Sequence, residues 1–247
     1  MIRFGQDEAH IRMFVKKDGI SRKIDMHLKK TKAKGIAIDG IPIRKASELF
    51  GILNIVFFSP EDLNIIKSGP GERRRFMDLE LCQLNKLYLS NLSSYNRILN
   101  QRNKLLKDIA FQPGLKDTLE VWDEQLAHYG AFLIESRKAF VEELNGIMEG
   151  IHRSITGDRE QIKLVYEPSV QSSVFLEELT AARERDIRFK MTSLGPHRDD
   201  LCVKVNEIDI RKYGSQGQQR TAALSLKLSE IYMVKKIIKD MPVLLLD

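Results

Sequence analysis

The stretch from Gly214 to Asp247 constrains the fold of this chain more than any other. It begins with a turn of small residues that includes Ser215 and Gly217, continues through about twenty helix-favouring residues, and ends in the apolar run Val243–Leu246 before Asp247. A helix that starts at such a turn leaves backbone N–H groups free to bind an anion such as phosphate. A buried parallel strand delivers its last residue to the ligand edge of an α/β sheet. The stretch therefore predicts part of a nucleotide site.

The helix within this stretch carries apolar residues on more than one side. One face repeats with the 3.6-residue period and is formed by Leu224, Leu228, Ile231 and Ile238. Leu226 and Ile237 fall on the other side, so we expect more than one face to be covered by the protein.

Three sequence blocks resemble a known family. Residues 215–219, SQGQQ, are similar to the signature motif of ABC-type ATPases, and residues 243–247, VLLLD, are similar to their Walker B strand. The longer block 214–221 resembles the RecF family of DNA replication and repair proteins, as do residues 57–63, FFSPEDL, and residues 195–201, GPHRDDL. The blocks stand in the order of that family, and the resemblance covers nearly the whole chain. Each block alone is weak, and the combination of the three is specific.

The resemblance implies an α/β fold with α+β character. The expected architecture is an incomplete ABC-ATPase head with an antiparallel β lobe and an inserted helical-hairpin arm. In this interpretation residues 1–68 are a β-rich part of the head, and residues 69–160 are the helical arm. Residues 161–247 are then the C-terminal part of the head, with the signature motif and the Walker B strand.

Alternation of polar and apolar residues predicts strands in the first part of the chain. The predicted strand regions are residues 10–15, 23–28, 36–43 and 55–58. Lys17, Asp18 and Gly19 predict a hairpin turn between the first two, and Asp39 and Gly40 predict a second hairpin. We expect residues 1 to about 58 to form an antiparallel sheet.

Two long helical patterns follow, separated by Pro113 and Gly114. Apolar and aromatic residues recur in steps of four and three, which is the spacing of coiled coils. The two stripes are Tyr88, Leu92, Tyr95, Leu99 and Leu106, and then Leu115, Leu119, Trp122, Leu126, Tyr129 and Leu133, extended by Phe140, Leu144 and Ile147. The pattern predicts an antiparallel helical hairpin, in which Trp122 belongs to the core rather than to a base-stacking surface.

Two of the blocks admit more than one interpretation. Residues 59–62, SPED, predict a capped helix start. In the ABC fold this junction carries a glutamine that senses metal and γ-phosphate, and Glu61 or Asp62 would have to replace it. Residues 195–200 combine a histidine, an arginine and two acids, which suits proton transfer, a phosphate clamp or a rigid loop with an Arg–Asp pair. The resemblance places this loop near the nucleotide, with Arg198 as a candidate link between ATP and DNA.

The resemblance also assigns roles in a composite nucleotide site, where one subunit supplies the phosphate loop and its partner supplies the signature turn. Ser215, Gln216, Gly217 and Gln218 would contact the ATP held by the other protomer, and Asp247 would hold Mg²⁺ indirectly in its own. A hydroxyl and free N–H groups suit a phosphate, and a carboxylate suits a hard cation. The alternatives are an ordinary Gly/Ser helix start and an incidental position of Asp247.

No G-x-x-x-x-G-K-[ST] sequence occurs in the chain, so it does not encode the loop that cradles the α- and β-phosphates. A helix start contributes about 0.3 to 2 kcal/mol to the binding of an anion. Micromolar affinity needs about 8 kcal/mol. We therefore expect a fragment of a longer protein, which by itself neither binds ATP tightly nor hydrolyses it. The resemblance implies that the intact family is a weak DNA-dependent ATPase with ATP and Mg²⁺ as cofactors.

Basic residues are concentrated in the first part of the chain. Through residue 110 there are 21 Lys and Arg against 12 Asp and Glu, and in the remainder 19 against 22, for a net charge of +6. This asymmetry favours a polyanionic partner. The dense clusters are Lys29, Lys30, Lys32 and Lys34, and Arg73, Arg74 and Arg75. Neither has interleaved aromatic residues, which predicts contact with the phosphate backbone of double-stranded DNA or, alternatively, an ordinary solvated surface.

The resemblance implies a recombination-repair ATPase that forms an ATP-dependent homodimer on double-stranded DNA. Such a protein promotes the loading of recombination mediator proteins at gaps and stalled forks. The alternative is a DNA- or protein-binding module without a nucleotide role. No apolar run is long enough to span a membrane and no signal peptide is recognisable, so we expect a cytoplasmic protein. Cys82 and Cys202 lack CxxC spacing, which argues against a disulfide framework or a zinc site and favours two buried or incidental thiols.

Overall fold

The computed structural model describes residues 2–17 and 19–247 of the chain. The chain divides into two units, of which the first extends to Asn54 and the second begins at Ile55. The three parts that the sequence predicts, with boundaries after residues 68 and 160, stay a prediction.

The first unit is an antiparallel sheet in which each strand pairs with the next one along the chain. Its strands are β1 (Glu8–Lys17), β2 (Ile20–Lys29), β3 (Gly35–Ile38) and β4 (Ile41–Ile43). Successive side chains of a strand point to opposite faces. One face therefore carries apolar side chains such as Ile24 and Ile36, which are buried. The other face carries polar residues, among them His10 and its directly opposed partner His27.

Positive φ angles form the two hairpin turns of this unit. Gly19 has a φ of 77° between β1 and β2, and Asp39 and Gly40 have φ angles of 52° and 83° between β3 and β4. Two consecutive positive φ angles are typical of the type I′ turn, whose twist matches that of the flanking strands. Both predicted hairpins are confirmed. Asp18, which the sequence assigns to the first turn, lies outside the described residues.

The second unit combines helices with short strands. In chain order its elements are β5 (Ile55–Phe58), α1 (Leu63–Lys67), α2 (Pro70–Leu84), α3 (Lys86–Asp108), α4 (Leu119–Thr156), β6 (Ile162–Glu167), α5 (Phe175–Ala181), α6 (Arg183–Phe189), β7 (Asp200–Val205), β8 (Ile208–Asp209), α7 (Ile210–Tyr213), α8 (Gln216–Ile238) and β9 (Val243–Leu246).

α3 and α4 form the predicted helical hairpin, connected by a 3₁₀ turn at Pro113–Thr118. The buried residues of the two stripes are Tyr88, Tyr95, Leu99, Leu106, Leu119, Leu126, Leu133, Phe140 and Leu144. Burying a leucine side chain stabilises a fold by about 1.5 to 3 kcal/mol, so the seam between the helices accounts for much of the stability of this unit. Trp122 is partly buried, as expected of a residue at the margin of the core.

β5 does not extend the sheet of the first unit. It pairs in parallel with β9, with Ile55 opposite Val243 and Phe58 opposite Leu246. The prediction of one antiparallel sheet through residue 58 is therefore wrong for this strand. Its four residues are all apolar, a pattern that does not reveal the direction of pairing, and its partner lies near the far end of the sequence. The expectation of a buried strand before Asp247 is wrong, because all four residues of β9 are exposed.

α8 packs against α4, where Ser225 of α8 lies within hydrogen-bond distance of His152. Ala222, Ala223, Ser225 and Ser229 of α8 are buried. Leu224, by contrast, is 44% exposed. The leucine face predicted from the period is thus only partly covered, and of the two residues on the other side Leu226 is buried whereas Ile237 is exposed.

β6, β7 and β8 form an antiparallel sheet beside the helical hairpin. The turn between β7 and β8 uses positive φ angles at Asn206 and Glu207. α5 and α6 are separated at Ala182. None of the helices in the described part of the chain combines the length and the apolar character needed to cross a membrane.

Candidate nucleotide site and basic clusters

A close backbone contact forms the turn before α8. The side chain of Asp209 accepts the N–H of Arg211 at 3.0 Å and caps α7. Gly214 then folds back on Ile210, so that a Cβ atom on Gly214 would lie 2.6 Å from Ile210 Cβ and 2.7 Å from its carbonyl oxygen. Any side chain at this position would collide with the backbone of α7. Glycine therefore brings Ser215 to the N-cap position of α8, directly before its first residue Gln216.

Ser215 and Gln218 form a reciprocal capping box at the start of α8. The backbone N–H of Gln218 donates to Ser215 Oγ at 3.2 Å, and the N–H of Ser215 donates to Gln218 Oε1 at 3.0 Å. The amide of Gln218 also donates to Glu160 Oε1 at 3.0 Å. Gln219 is buried and donates to the carbonyl of Ile210 at 2.8 Å. Two of the three glutamines of the signature motif, Gln218 and Gln219, thus hold the turn in place.

The surface of the turn is open to a ligand. Ser215, Gln216 and Gly217 are exposed. The N–H groups of the first helical residues have no acceptor within a helix, and the cap satisfies that of Gln218. A Cβ atom added to Gly217 would have only Ser215 Oγ nearby, at 3.8 Å. A hydroxyl, outward N–H groups and free space are what a phosphate group requires, so these residues fit the γ-phosphate that the family resemblance assigns to them.

Asp247 lies at the end of the parallel strand pair. Its backbone N–H donates to the carbonyl of Phe58 at 3.0 Å and continues the ladder between β9 and β5. The capped turn of the SPED block begins at the next residue, Ser59. The hydroxyl of Ser59 accepts the N–H of Glu61 at 3.2 Å, and the carboxylate of Asp62 accepts the N–H of Ser59 at 2.8 Å. The predicted cap is therefore confirmed. The carboxylate of Asp247 is exposed, and a carboxylate in this position fits a hydrated Mg²⁺.

The turn at Ser215 lies well along α8 from the part of the helix that meets the strand pair ending at Asp247. The ammonium group of Lys227 lies 5.9 Å from the ring centroid of Phe58, the residue next to Asp247 in the ladder. Lys227 follows Ser215 by twelve residues of α8, which corresponds to ~18 Å along the helix axis. The start of α8 is therefore about three helical turns from the residue whose side chain lies beside Phe58.

The block 195–200 forms a loop that is anchored on both of its aspartates. Asp199 is fully buried and accepts the N–H of Ser169 at 2.9 Å and a guanidinium nitrogen of Arg137 at 3.0 Å. Asp200 accepts from Arg73 at 2.6 Å and from Arg211 at 2.8 Å. These ion pairs leave neither carboxylate free for catalysis. The contacts support the interpretation of the loop as a rigid structural element.

The histidine of the loop is equally engaged. His197 Nδ1 lies 2.7 Å from the hydroxyl of Tyr95, and Nε2 lies 3.1 Å from the carbonyl of Thr192. A carbonyl only accepts, so Nε2 carries the proton and Nδ1 accepts from Tyr95. Burial lowers the pKa of His197 to about 4. Arg198 is exposed and bonds weakly to the carbonyl of Thr192 at 3.3 Å, so its role as a link between ATP and DNA stays a prediction.

Comparison with known proteins identifies the family of the chain. Over its whole length it is 63% identical to the DNA replication and repair protein RecF of Lachnospira eligens, of which it covers 69%. It is 65% identical to the protein of the same name of Agathobacter rectalis, of which it covers 68%. The chain belongs to the RecF family. No protein-family model matches it.

Solved structures of RecF share the fold of this RecF-family chain. The recombination mediator protein RecF with ATP is 35% identical to it, with a TM-score of 0.91, and the match covers 99% of this chain and 68% of that one. The corresponding structure described as RecF-ATPrS gives a TM-score of 0.90 at the same identity and coverage. The predicted fold class is confirmed, including the antiparallel β lobe and the helical-hairpin arm.

The arginine cluster of this RecF-family chain is only partly available to DNA. Arg73 is 4% exposed, and its guanidinium is held by Asp200 and by the carbonyls of Ile65 and Ser68. The prediction that Arg73 contacts DNA therefore needs correction, because the residue is a buried structural cation. Arg74 is half-buried, and burial lowers its pKa. Arg75 is exposed.

The lysine cluster lies at the end of β2 and in the following loop. Lys29 contacts Glu8 at 2.8 Å and Lys30 contacts Asp7 at 3.0 Å. Exposed ion pairs of this kind are worth about 0 to 1 kcal/mol, so a phosphate can replace the carboxylates. Lys32 and Lys34 are exposed. Their contact with DNA stays a prediction.

Two residues near the signature turn are not identified by sequence analysis as candidate functional residues. Glu160 and His152 lie beneath the signature turn, although the sequence separates them from it by more than fifty residues. Neither belongs to a motif, so no sequence signal marks them. The two cysteines behave as expected: Cys82 and Cys202 are free and buried, and burial raises the pKa of each thiol, to about 12 and about 11.

Proposed function

We propose that this chain is the signature-bearing part of a recombination-repair ATPase whose two copies close around ATP. The separation of ~18 Å along α8 between Ser215 and Lys227, whose side chain lies beside the strand pair that ends at Asp247, carries the proposal. A γ-phosphate and its Mg²⁺ lie within a few ångströms of each other, so one chain does not offer both groups to the same nucleotide. A second copy completes the site by presenting its own Ser215 turn.

Each residue has a limited role in this arrangement. The hydroxyl of Ser215 and the N–H groups of Gln216 and Gly217 bind the γ-phosphate of the ATP held by the partner. Gln218 keeps the turn in shape through the capping box. Asp247 orients water in the magnesium shell of its own protomer. Bound ATP supplies the charge that these donors neutralise, and it therefore favours the closed dimer.

The relatives suggest where such a dimer acts. They are DNA replication and repair proteins, and the similar solved structures are of RecF in the RecFOR pathway. We infer that the dimer binds double-stranded DNA and promotes the loading of recombination mediator proteins at gaps and stalled forks. The basic balance of the first 110 residues supports a polyanionic partner.

Gly217 offers a direct test of the nucleotide role. Space around its Cβ position is open, and leucine favours helices over glycine by roughly 1 kcal/mol, so Gly217→Leu keeps the fold. The new side chain occupies the space that the phosphate needs. In the natural full-length protein, light scattering with increasing ATP and Mg²⁺ measures the dimer. We expect the variant to need at least tenfold more ATP, whereas Lys235→Leu, an exposed position on the same helix, matches the wild type. Unchanged dimerisation of Gly217→Leu contradicts the proposal.

A second candidate function is a DNA- or protein-binding module without a nucleotide role. It is favoured by the exposed lysines of the loop after β2 and by the lack of a phosphate-loop sequence in the chain. The same titration separates the two functions. Binding to duplex DNA that does not change with ATP, together with the absence of ATP-dependent dimerisation in the wild type, supports this module.

A further inference from the structure

Glu160 connects the signature turn to the helices beneath it. Its Oε1 atom accepts from Gln218 Nε2 at 3.0 Å, while Gln218 Oε1 accepts the backbone N–H of Ser215 at 3.0 Å. Only one orientation of the Gln218 amide satisfies both contacts, because the carboxylate requires a donor and the N–H requires an acceptor. Glu160 therefore fixes the side chain that closes the capping box.

His152 lies next to Glu160 on the side away from the signature turn. This histidine of α4 is fully buried, and its Nδ1 atom lies 2.9 Å from Ser225 Oγ of α8. The hydroxyl of Ser225 donates to the carbonyl of Thr221 at 2.8 Å, so it accepts the proton of His152 Nδ1. Nε2 of His152 has no hydrogen-bond partner among the described residues and faces Glu160 Oε2 at 3.4 Å. Because Nδ1 donates to Ser225, the neutral ring presents a lone pair at Nε2, and the contact with Glu160 is an ion pair only when the imidazole carries both protons.

We propose that Glu160 is a positioning residue for the signature turn, holding Gln218 so that Ser215 and the first N–H groups of α8 meet the partner's phosphate in a fixed geometry. The inference rests on the proposed function, since it concerns the same site. Glu160 does not touch the nucleotide. It acts through Gln218.

Substitution of Glu160 separates positioning from simple stabilisation. Glu160→Ala removes the acceptor of the Gln218 amide, whereas Glu160→Gln keeps an acceptor oxygen of the same reach. In ATP-dependent dimerisation of the natural full-length protein, we expect Glu160→Ala to need about tenfold more ATP, the factor that about 1.4 kcal/mol represents. Glu160→Gln should dimerise at an ATP concentration within about twofold of the one that the wild type needs. Glu142→Ala, an exposed glutamate of α4, is the matched control.

A double-mutant cycle tests the route of the effect. If Glu160 acts through Gln218, the double variant of Glu160→Ala and Gln218→Ala needs no more ATP to dimerise than Gln218→Ala alone. Additive effects, or a Glu160→Ala variant that dimerises like the wild type while Gly217→Leu fails, overturn the positioning role and leave the proposed function intact. A wild-type protein that does not dimerise with ATP overturns both.

A different observation, in the first unit, carries a second inference. His10 and His27 lie directly opposite each other on β1 and β2, with ring centroids 3.9 Å apart. Glu8 lies two residues before His10 on the same face of the strand, and its Oε2 atom is 2.7 Å from His27 Nε2. One ligand atom from each of the three residues lies within 4.8 Å of the other two.

Two imidazole nitrogens and a carboxylate oxygen are a donor set for a late first-row divalent cation such as zinc. In tetrahedral zinc sites with bonds of about 2.0 to 2.2 Å, ligand atoms lie about 3.4 Å apart. The two rings are stacked at an interplanar angle of 21°, so they must turn about their side-chain bonds for their nitrogens to converge on one ion. Lys29 binds the other carboxylate oxygen of Glu8 at 2.8 Å and leaves Oε2 for the metal. The two histidines line an open cleft of about 490 Å³ that Arg12 and Met26 also line.

We infer that Glu8, His10 and His27 form a zinc-type site with an open fourth position for water. The ladder between β1 and β2 holds the two histidines in register before any metal arrives. This site is independent of the signature turn, so its failure has no bearing on the nucleotide proposal.

Direct titration with zinc chloride tests this site in the natural protein. Calorimetry should show one equivalent bound, and Co²⁺ in its place should give the visible absorption of a tetrahedral centre. His10→Ala and His27→Ala should each weaken binding at least tenfold, and Glu8→Gln should weaken it less. His128→Ala, an exposed histidine of α4, is the control and should leave binding unchanged. Absence of a stoichiometric equivalent, or binding that survives both histidine substitutions, overturns the inference.

Discussion

Arg137 shows how a single side chain joins several elements of the second unit. It is 2% exposed, and every guanidinium nitrogen has a partner. Nη1 donates to the carbonyl of Pro196 at 2.7 Å and to Asp199 at 3.0 Å, Nη2 donates to Asp78 at 2.8 Å, and Nε donates to the hydroxyl of Tyr88 at 3.1 Å. The residue thus ties α4 to α2, α3 and the loop of residues 195–200.

Loss of this cation should be costly. In Arg137→Met the carboxylate of Asp199 stays buried without its cationic partner, and removal of one member of a buried pair costs about 3 to 5 kcal/mol. We expect the free energy of unfolding, measured with urea, to fall by that amount. Lys138→Met, the exposed neighbour, should change it by less than about 0.5 kcal/mol. A loss below about 1 kcal/mol for Arg137→Met contradicts the central role of the residue.

His197 makes stability depend on pH. Burial lowers its pKa to about 4 in the folded protein, whereas an unfolded histidine titrates near ~6.5. Between these values the unfolded chain binds the additional proton, so the free energy of unfolding falls as pH falls, by about 3 kcal/mol over the window. Urea unfolding at pH 7, 6 and 5 measures the slope. His197→Gln should show a shallower decline than the wild type, and parallel declines would exclude His197 as the source.

At the scale of elements, a buried polar cluster joins α2 to α8. Glu80 of α2 and Glu230 of α8 are both buried, and Lys227 of α8 forms an ion pair with Glu230. Burial raises the pKa of Glu80 to about 7, and burial together with the nearby Glu80 also raises the pKa of Glu230. Two buried carboxylates thus lie near one lysine. The cluster joins the two helices, and it makes the free energy of unfolding depend on pH.

Glu80→Gln should reveal this dependence. The folded pKa of about 7 lies above the unfolded value of ~4.5, so the contribution of Glu80 is complete below pH 4.5 and is lost as pH rises towards 7. Glutamine keeps the acceptor for the amide of Gln83 and carries no charge. We expect the variant to gain about 2 to 3 kcal/mol over the wild type at pH 8 and little at pH 5, measured by urea unfolding. Glu72→Gln, exposed on the same helix, should show no such difference.

At the scale of the whole molecule, the uneven charge predicts salt-sensitive binding to duplex DNA. The exposed cations Lys32, Lys34 and Arg75 are the contacts to test. Each phosphate contact that is lost should reduce the slope of log affinity against log salt by about one. Fluorescence anisotropy with a labelled duplex at several salt concentrations measures it. Arg73→Ala should instead lower the free energy of unfolding, since Arg73 is buried in ion pairs. An unchanged slope in the triple alanine variant would contradict the DNA role of these cations.

Nucleotide binding is a second property of the whole molecule. Residues 1–247 contain the signature turn and no phosphate-loop sequence. A helix start contributes at most about 2 kcal/mol, far below the roughly 8 kcal/mol of micromolar affinity. Titration of residues 1–247 with ATP and Mg²⁺ should therefore show no saturation below millimolar concentration. Micromolar binding would mean that other residues of the chain hold the nucleotide.

Local chemistry made much of the fold predictable from the sequence. The turn at Asp39 and Gly40, the cap at Ser59 and the arm from Tyr88 onward depend on neighbours within a few residues, and all three are confirmed. The family was predictable for a similar reason. Its three motif blocks are short, contiguous and rare in combination.

Contacts between distant segments were not predictable. The parallel pairing of β5 with β9 brings together strands from opposite ends of the second unit. An apolar run does not specify which other strand it pairs with. Arg73 looked like a free cation in a basic triplet, yet Asp200 lies within 2.6 Å of it in the folded chain. Whether a charge is free depends on what packs beside it in three dimensions.

The signature stretch shows both contributions. The sequence by itself determined that a Gly/Ser turn starts a helix at Ser215 and that an apolar strand ends at Asp247, because propensity and capping act locally. Only the tertiary structure decided that the strand pair ending at Asp247 lies beside Lys227, about three turns of α8 beyond Ser215, and that Glu160 accepts a hydrogen bond from Gln218. Distance and support depend on chain segments that meet only after folding, and no local pattern encodes them.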